Sequence, residues 1–259
     1  MLLLHIKWDP SPYIFHIGNW GLTYYGMSWA LSVLLGFLLT ANLYRFEGMG
    51  TGYASKLSEY LFFCGLIGAR LGQVFFYDWS YFSEHPSEII KIWHGGLSSH
   101  GGALGILLGA WLFLRNYPHI SYLRLLDILS VGAPLVGGLI RLGNLFNSEI
   151  VGKPSDMPWA FVFVQRGDDI ARHPSALYEA VMLFALCGLF YGIYKSRRLP
   201  TGGLTALFFV VVFSLRFLLE YWKNDANYTQ LLSLPLIVGG LILGIYVWIK
   251  RNPPMPDVV

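Results

Sequence analysis

Apolar residues recur along this chain in runs of about 20, the length an α-helix needs to cross a hydrocarbon core, and short stretches rich in charge, proline, glycine and aromatics separate them. Windows of that length predict seven spans, near residues 21–44, 57–77, 97–115, 121–146, 174–194, 203–222 and 230–249. The pattern reads as all-α: a polytopic membrane protein whose single integral-membrane domain, residues 1–259, uses nearly the whole chain. An odd number of spans puts the termini on opposite sides, and the lysine and arginine bias chooses between them. A cytoplasmic C-terminus places nine basic residues inside: Arg45, Lys56, Arg115, Arg124, Lys195, Arg197, Arg198, Lys250 and Arg251. Six then lie outside: Lys7, Lys91, Lys153, Arg166, Arg172 and Lys223. The N-terminus is therefore expected outside, and the long loops 78–96 and 147–173 are expected to be external and to cover a membrane-level site. Residues 1–13 are too short and interrupted for a signal peptide, so insertion rests on the first span. No internal repeat of the kind that marks many transporters is visible.

Composition supports the membrane reading, with 55% hydrophobic and 13% charged residues against about 25% charged in ordinary soluble domains. The net charge of +3 comes from loop residues, and without a basic tract or stacking platform no nucleic-acid partner is expected. Cys64 and Cys187 both fall inside apolar spans, where a thiol behaves as a small packing group.

Against this apolar background the segment Gly137–Gly152, GGLIRLGNLFNSEIVG, stands out because it carries Arg141, Asn144, Asn147 and Glu149. An arginine at bilayer depth costs about 2.5 to 3.5 kcal/mol on insertion scales, so it faces a cavity, a partner or a ligand. A salt bridge between helices is one reading and a ligand site the other. On the predicted topology, Tyr24, Tyr25, Tyr77, His100, Arg141, Asn144, His173, Tyr178, Arg216 and Glu220 all fall at external span ends, with Arg70 somewhat deeper. For the tyrosines an interfacial belt is the alternative; for Arg216 and Glu220, four apart on one face, it is a structural pair. Glycines flank the polar groups: Gly95, Gly96, Gly101 and Gly102 around His100, and Gly137, Gly138, Gly143 and Gly152 around Arg141. Arg172–Glu179, RHPSALYE, reads as a helix start with Pro174 in the first turn.

Arginine is a planar, permanently charged fork suited to phosphate, which points to an anionic headgroup as ligand. Histidine exchanges protons near neutral pH, and His100 beside arginines suits removal of a proton from a nucleophile next to a phosphate leaving group. No metal is needed: His94 and His100 have no carboxylate pattern that completes a ligand set. Without a GxSxG or Ser-Lys arrangement, transfer is favoured over hydrolysis. A small-anion or lipid transporter is the competing reading, although polar groups are sparse in the inner half, where Asp127 and Glu59 are the main exceptions.

Four segments together resemble bacterial prolipoprotein diacylglyceryl transferase: Arg141–Gly152 over its whole length, Gly95–Gly102 as a histidine-glycine motif, Arg172–Glu179, and the late Arg216 and Glu220. The resemblance implies a transferase of the bacterial cytoplasmic (inner) membrane with its active site toward the outer leaflet. Its partners would be phosphatidylglycerol and a prolipoprotein signal peptide with a lipobox cysteine. The diacylglyceryl group moves to the cysteine thiol, forming a thioether and releasing glycerol phosphate, the first step of lipoprotein maturation, without a cofactor. His100, Arg141 and Arg216 are the implied catalytic residues, with His100 as base or headgroup anchor. Tyr25, Tyr77, Gly95, Gly101, Asn144, Glu149, Gly152, His173, Tyr178 and Glu220 are the implied substrate-binding residues. One position departs from the pattern: a tyrosine is expected one turn before Arg216, where this chain has Val212.

Overall fold

In a membrane a backbone amide has no water to turn to, so apolar runs close their hydrogen bonds within the segment as helix. The computed structural model describes residues 5–18, 20–92, 95–223, 231 and 233–250. Within them lie α1 (Tyr24–Phe46), α2 (Thr51–Phe76), α3 (Trp79–Glu84), α4 (Ser99–Asn116), α5 (Tyr122–Phe146), α6 (Ser175–Ser196), α7 (Gly203–Glu220) and α8 (Ser233–Lys250). Six of these, α1, α2, α5, α6, α7 and α8, are long and apolar enough to cross a membrane. The chain is thus mostly helical and consistent with a polytopic membrane protein.

Two expectations change. The third predicted span does form a helix, α4, but its 18 residues begin with Ser99 and His100 and end with Arg115 and Asn116, and it is not among the six. The all-α reading also missed five short strands among the described residues: β1 (Ile6–Trp8), β2 (Tyr13–Ile17), β3 (Trp20–Thr23), β4 (Phe161–Phe163) and β5 (Ala171–Arg172). β3 overlaps the start of the first predicted span and the other four lie outside the apolar runs; at two to five residues all five are too brief for an alternating pattern to register. Helix boundaries otherwise fall close to expectation, except that α2 starts six residues early at Thr51. Residues 230 and 232 of the seventh predicted span, together with His94 and Arg251, lie outside the described residues.

The chain divides into two compact units, Thr40–Leu125 and Met1–Leu39 with Leu126–Val259. In the Thr40–Leu125 unit, α2 and α4 meet along a glycine seam. A Cβ on Gly68 would lie 2.5 Å from the Gly101 carbonyl oxygen, one on Gly72 2.7 Å from the Gly101 Cα, and one on Gly109 2.7 Å from the Tyr60 carbonyl oxygen. Small residues in register let the two backbones touch, which replaces the hydrophobic drive that lipid cannot supply. Ser98 caps α4, its hydroxyl accepting from the Gly101 amide at 3.2 Å. A buried ion pair joins Arg124 to Glu47.

In the other unit, α7 packs on α6 and α8, and β1 pairs parallel to β4, which pairs antiparallel to β5. The Trp8 indole donates to the Leu145 carbonyl at 3.0 Å, tying this sheet to the end of α5. Asp127, 2% exposed, explains one of the inner-half exceptions. Its carboxylate accepts from the amides of Gly202 (2.7 Å) and Thr205 (2.9 Å) and from the Thr205 hydroxyl (2.7 Å), closing the open N-terminal donors of α7 from another helix.

Candidate active site

The end of α5 turns sharply because Ser148 and Ile150 both take positive φ, near +53°, a region that non-glycine residues enter only when their surroundings hold them there. The turn folds Glu149 back onto α5. Its two carboxylate oxygens accept from Asn144 Nδ2 at 2.9 Å and Asn147 Nδ2 at 3.2 Å, and Asn144 Oδ1 in turn accepts from Arg141 Nη1 at 3.4 Å. Arg141, Asn144 and Glu149 are therefore one connected set. Gly152 follows where no side chain fits: a Cβ there would lie 2.6 Å from the His173 Cβ and 2.6 Å from the Ser175 Oγ. Gly152 donates its amide to the His173 carbonyl at 2.8 Å. At Gly143 a Cβ would lie 2.9 Å from the Tyr25 ring, which places half-buried Tyr25 of α1 against α5.

Beneath the turn lies a row of buried charge. Arg141 Nε meets Glu179 Oε2 at 2.5 Å, the other Glu179 oxygen meets Lys223 Nζ, and Lys223 Nζ meets Glu220 Oε2 at 3.0 Å. The four side chains are 19%, 2%, 9% and 7% exposed in the order Arg141, Glu179, Lys223, Glu220, so Arg141 is the accessible end. Glu220 pairs with Lys223, whereas Arg216 makes no hydrogen bond or ion pair with any described residue. The alternative of a structural Arg216–Glu220 pair therefore gives way to a half-buried cation one turn before Glu220 with its donors unused. Val212, where a tyrosine was expected, is 4% exposed.

His173 and Tyr178 form a second polar group in this unit. The Tyr178 hydroxyl accepts from Trp159 Nε1 at 3.0 Å and lies 3.1 Å from His173 Nδ1. The direction of the His173–Tyr178 bond depends on the tautomer of the imidazole, since the hydroxyl can donate or accept. Burial lowers the His173 pKa below the usual histidine value. Nearby, Arg172 holds Asp168 at 2.9 Å, and this hydrogen bond lowers the Asp168 pKa.

The Thr40–Leu125 unit carries the histidine-glycine motif. His100, in the first turn of α4, lies with its Nδ1 3.1 Å from the Tyr77 hydroxyl at the end of α2, and both side chains are exposed. If Nδ1–H donates to Tyr77, the Nε2 lone pair is free to accept a proton. Gly95 and Gly96, at φ +85° and +71°, form the turn before α4, and Gly101 sits in the glycine seam. Arg70 has no such freedom. Its guanidinium donates to the carbonyls of Ile89 (2.8 Å), Gly95 (2.6 Å), Gly96 (2.9 Å), Glu88 (2.6 Å) and Lys91 (3.4 Å) and stacks 4.8 Å over Phe82. It ties residues 88, 89 and 91 to Gly95 and Gly96.

Two residues of the charged row escaped the sequence reading. Lys223 counted only as an external loop charge, and Glu179 only as the last residue of the RHPSALYE segment. The membership of Glu179 in that segment was the available signal; for Lys223 there was none.

Comparison with known proteins was made on the full chain. A family profile described as prolipoprotein diacylglyceryl transferase matches residues 12–246. A protein of Tolumonas auensis named phosphatidylglycerol–prolipoprotein diacylglyceryl transferase is 39% identical over 246 residues, covering 91% of this chain and 95% of that protein. One of the same name from Chloroherpeton thalassium is 42% identical over 254 residues, covering 92% of this chain and 93% of its own length.

Proposed function

This chain belongs to the prolipoprotein diacylglyceryl transferase family, and on that premise we propose that it transfers the diacylglyceryl group of phosphatidylglycerol to the lipobox cysteine of prolipoproteins. The cysteine sulfur attacks the glyceryl carbon that carries the phosphate ester, the carbon–oxygen bond to phosphate breaks, and glycerol phosphate leaves while the thiol proton passes to a base. A free thiol has a pKa of about 8.5, so proton removal assists at neutral pH, and fixed positive charge stabilises the leaving phosphate.

The observation that carries this reading is the state of the two arginines. Arg141 is held through Nε and Nη1, which leaves Nη2 without a partner among the described residues, and Arg216 commits its guanidinium to none of them. Arg141 thus makes a salt bridge between helices, to Glu179 of α6, and the donors left over on it and on Arg216 support a phosphate held at membrane depth. In this reading Arg141 and Arg216 take the phosphate, Asn144 and Glu149 orient Arg141, and Gly95, Gly101 and Gly152 give the shape. Tyr25, Tyr77, His173, Tyr178 and Glu220 are assigned to substrate binding on the family resemblance. His100 is the base, with its Nδ1 oriented by Tyr77.

We further place the chain in the bacterial cytoplasmic membrane with seven spans, the N-terminus outside and the site toward the outer leaflet. Support for α4 as the remaining span comes from its lipid-like face, on which Leu104, Leu107, Leu108 and Trp111 are each at least 50% exposed. The test is transfer by purified protein from phosphatidylglycerol to a lipobox peptide. A peptide with serine in place of the cysteine should not accept the lipid. Equal use of a zwitterionic lipid, or modification of the serine peptide, would overturn the chemistry.

A further inference from the structure

Lys223 sits where three segments meet. It follows the end of α7, it bridges antiparallel to Gly152 of the signature turn, and its ammonium lies between Glu220 of α7 and Glu179 of α6. The residues around it are fixed by backbone bonds as well, since Lys153 donates to the Trp222 carbonyl at 2.8 Å. The charges alternate along the row, Glu220 negative, Lys223 positive, Glu179 negative and Arg141 positive, with Arg141 at the accessible end.

Alternation matters because a guanidinium paired only with its own carboxylate offers little net charge to an anion. With Lys223 present, Glu179 is shared between two cations, and the positive end of the row faces outward. Without Lys223, Glu179 would be left to Arg141 alone, and the four-residue row would change from neutral to net negative beside the place proposed for phosphate. In a poorly solvated site that change in charge is weakly screened.

We propose that Lys223 is a positioning residue for the anionic lipid: it pairs with Glu220 and shares Glu179 with Arg141, so that Arg141 spends only one edge on Glu179 and presents its free face to phosphate. This rests on the lipid-binding part of the function proposed above. The other charged and titratable groups around the row are Glu149, bonded to Asn144 and Asn147; Lys153, whose ammonium lies 4.7 Å over the Tyr221 ring; and His173, bonded to Tyr178.

The experiment compares the wild type with Lys223→Gln, Lys223→Arg and Lys223→His in full-length purified protein. It reads KM for phosphatidylglycerol and kcat with a lipobox peptide from pH 6 to 8.5, and separately the binding of phosphatidylglycerol nanodiscs without peptide. Lys223→Gln is expected to raise KM at least tenfold with kcat at saturation changed less than threefold. Lys223→Arg should stay within threefold of the wild type. Lys223→His carries the test within one protein: its KM should approach the wild-type value at pH 6, where imidazolium replaces the ammonium, and rise at pH 8.5.

A wild-type KM in Lys223→Gln would overturn the proposal. So would equal loss of kcat and of thermal midpoint in the glutamine and arginine variants with a flat KM in the histidine variant, which is the behaviour of a structural residue. If the wild type binds phosphatidylglycerol but transfers nothing, the proposed function fails, and the nanodisc binding of the variants still decides the role of Lys223.

Discussion

Arg70 and Arg141 are both arginines in apolar helices, yet their surroundings give them opposite uses. Arg70, 6% exposed, spends its guanidinium on five carbonyls of one loop and a phenylalanine ring. Arg141 spends Nε on Glu179 and Nη1 on Asn144, and Arg216 spends nothing on any described residue. A buried arginine is thus evidence of function only through the donors it leaves over. A saturated guanidinium is a tie between backbone segments; one with donors left over is the kind proposed above to take an anion.

The sharpest test of the contrast is His100, the group in the same unit as Arg70 with chemistry to spare. His100→Gln keeps hydrogen bonding but removes the base, and turnover should fall about 10² to 10⁴-fold while phosphatidylglycerol binding persists. Turnover and binding measured across pH 5.5 to 8.5, a range chosen around the reference histidine pKa of about 6.5, separate the roles. A parallel fall of both would make His100 a headgroup anchor.

Next in size is Arg70→Gln, which leaves several loop carbonyls unpaired. A loss of about 2 to 3 kcal/mol of stability is expected, from the usual penalty for stranding buried acceptors, read as a lower unfolding midpoint with an unchanged lipid KM in the folded fraction. A specific rise in that KM would place Arg70 with the arginines proposed to bind phosphate and erase the distinction.

Arg141→Lys keeps charge but loses the fork. Activity should drop at least about tenfold, or 1.4 kcal/mol, with normal expression, and Arg216→Gln should weaken lipid binding with little change in the unfolding midpoint because no described partner is stranded. Normal turnover in both variants would return them to the structural class.

A smaller effect attaches to His173. Its folded pKa is lowered by burial, so folding favours the neutral ring, and the stabilisation is complete above the unfolded histidine pKa and is lost as pH falls through the lowered folded value. Acid unfolding monitored in His173→Gln should therefore be less pH-dependent than in the wild type over that window. An identical acid limb would remove His173 from the account. Smallest of all, Cys64→Ala combined with Cys187→Ala should retain most activity, since the nucleophilic sulfur belongs to the substrate; loss of turnover in a folded double variant would point to a covalent enzyme intermediate.

The amino-acid sequence by itself determined the helices, because apolar runs of spanning length leave the backbone no other way to satisfy its hydrogen bonds; α1, α5 and α6 lie within about three residues of their predicted ends. It also determined the family and the signature residues, since Arg141, Asn144 and Glu149 are close along the chain and a short segment carries them whole. What only the tertiary structure decided is which charges are consumed. Arg70 is saturated by carbonyls 18 to 26 residues away, Lys223 reaches Glu179 on another helix, and Asp127 caps a helix 75 residues on. Local pattern records what a residue is and which way its element runs, but whether a donor is free depends on partners that arrive from distant segments as the helices pack.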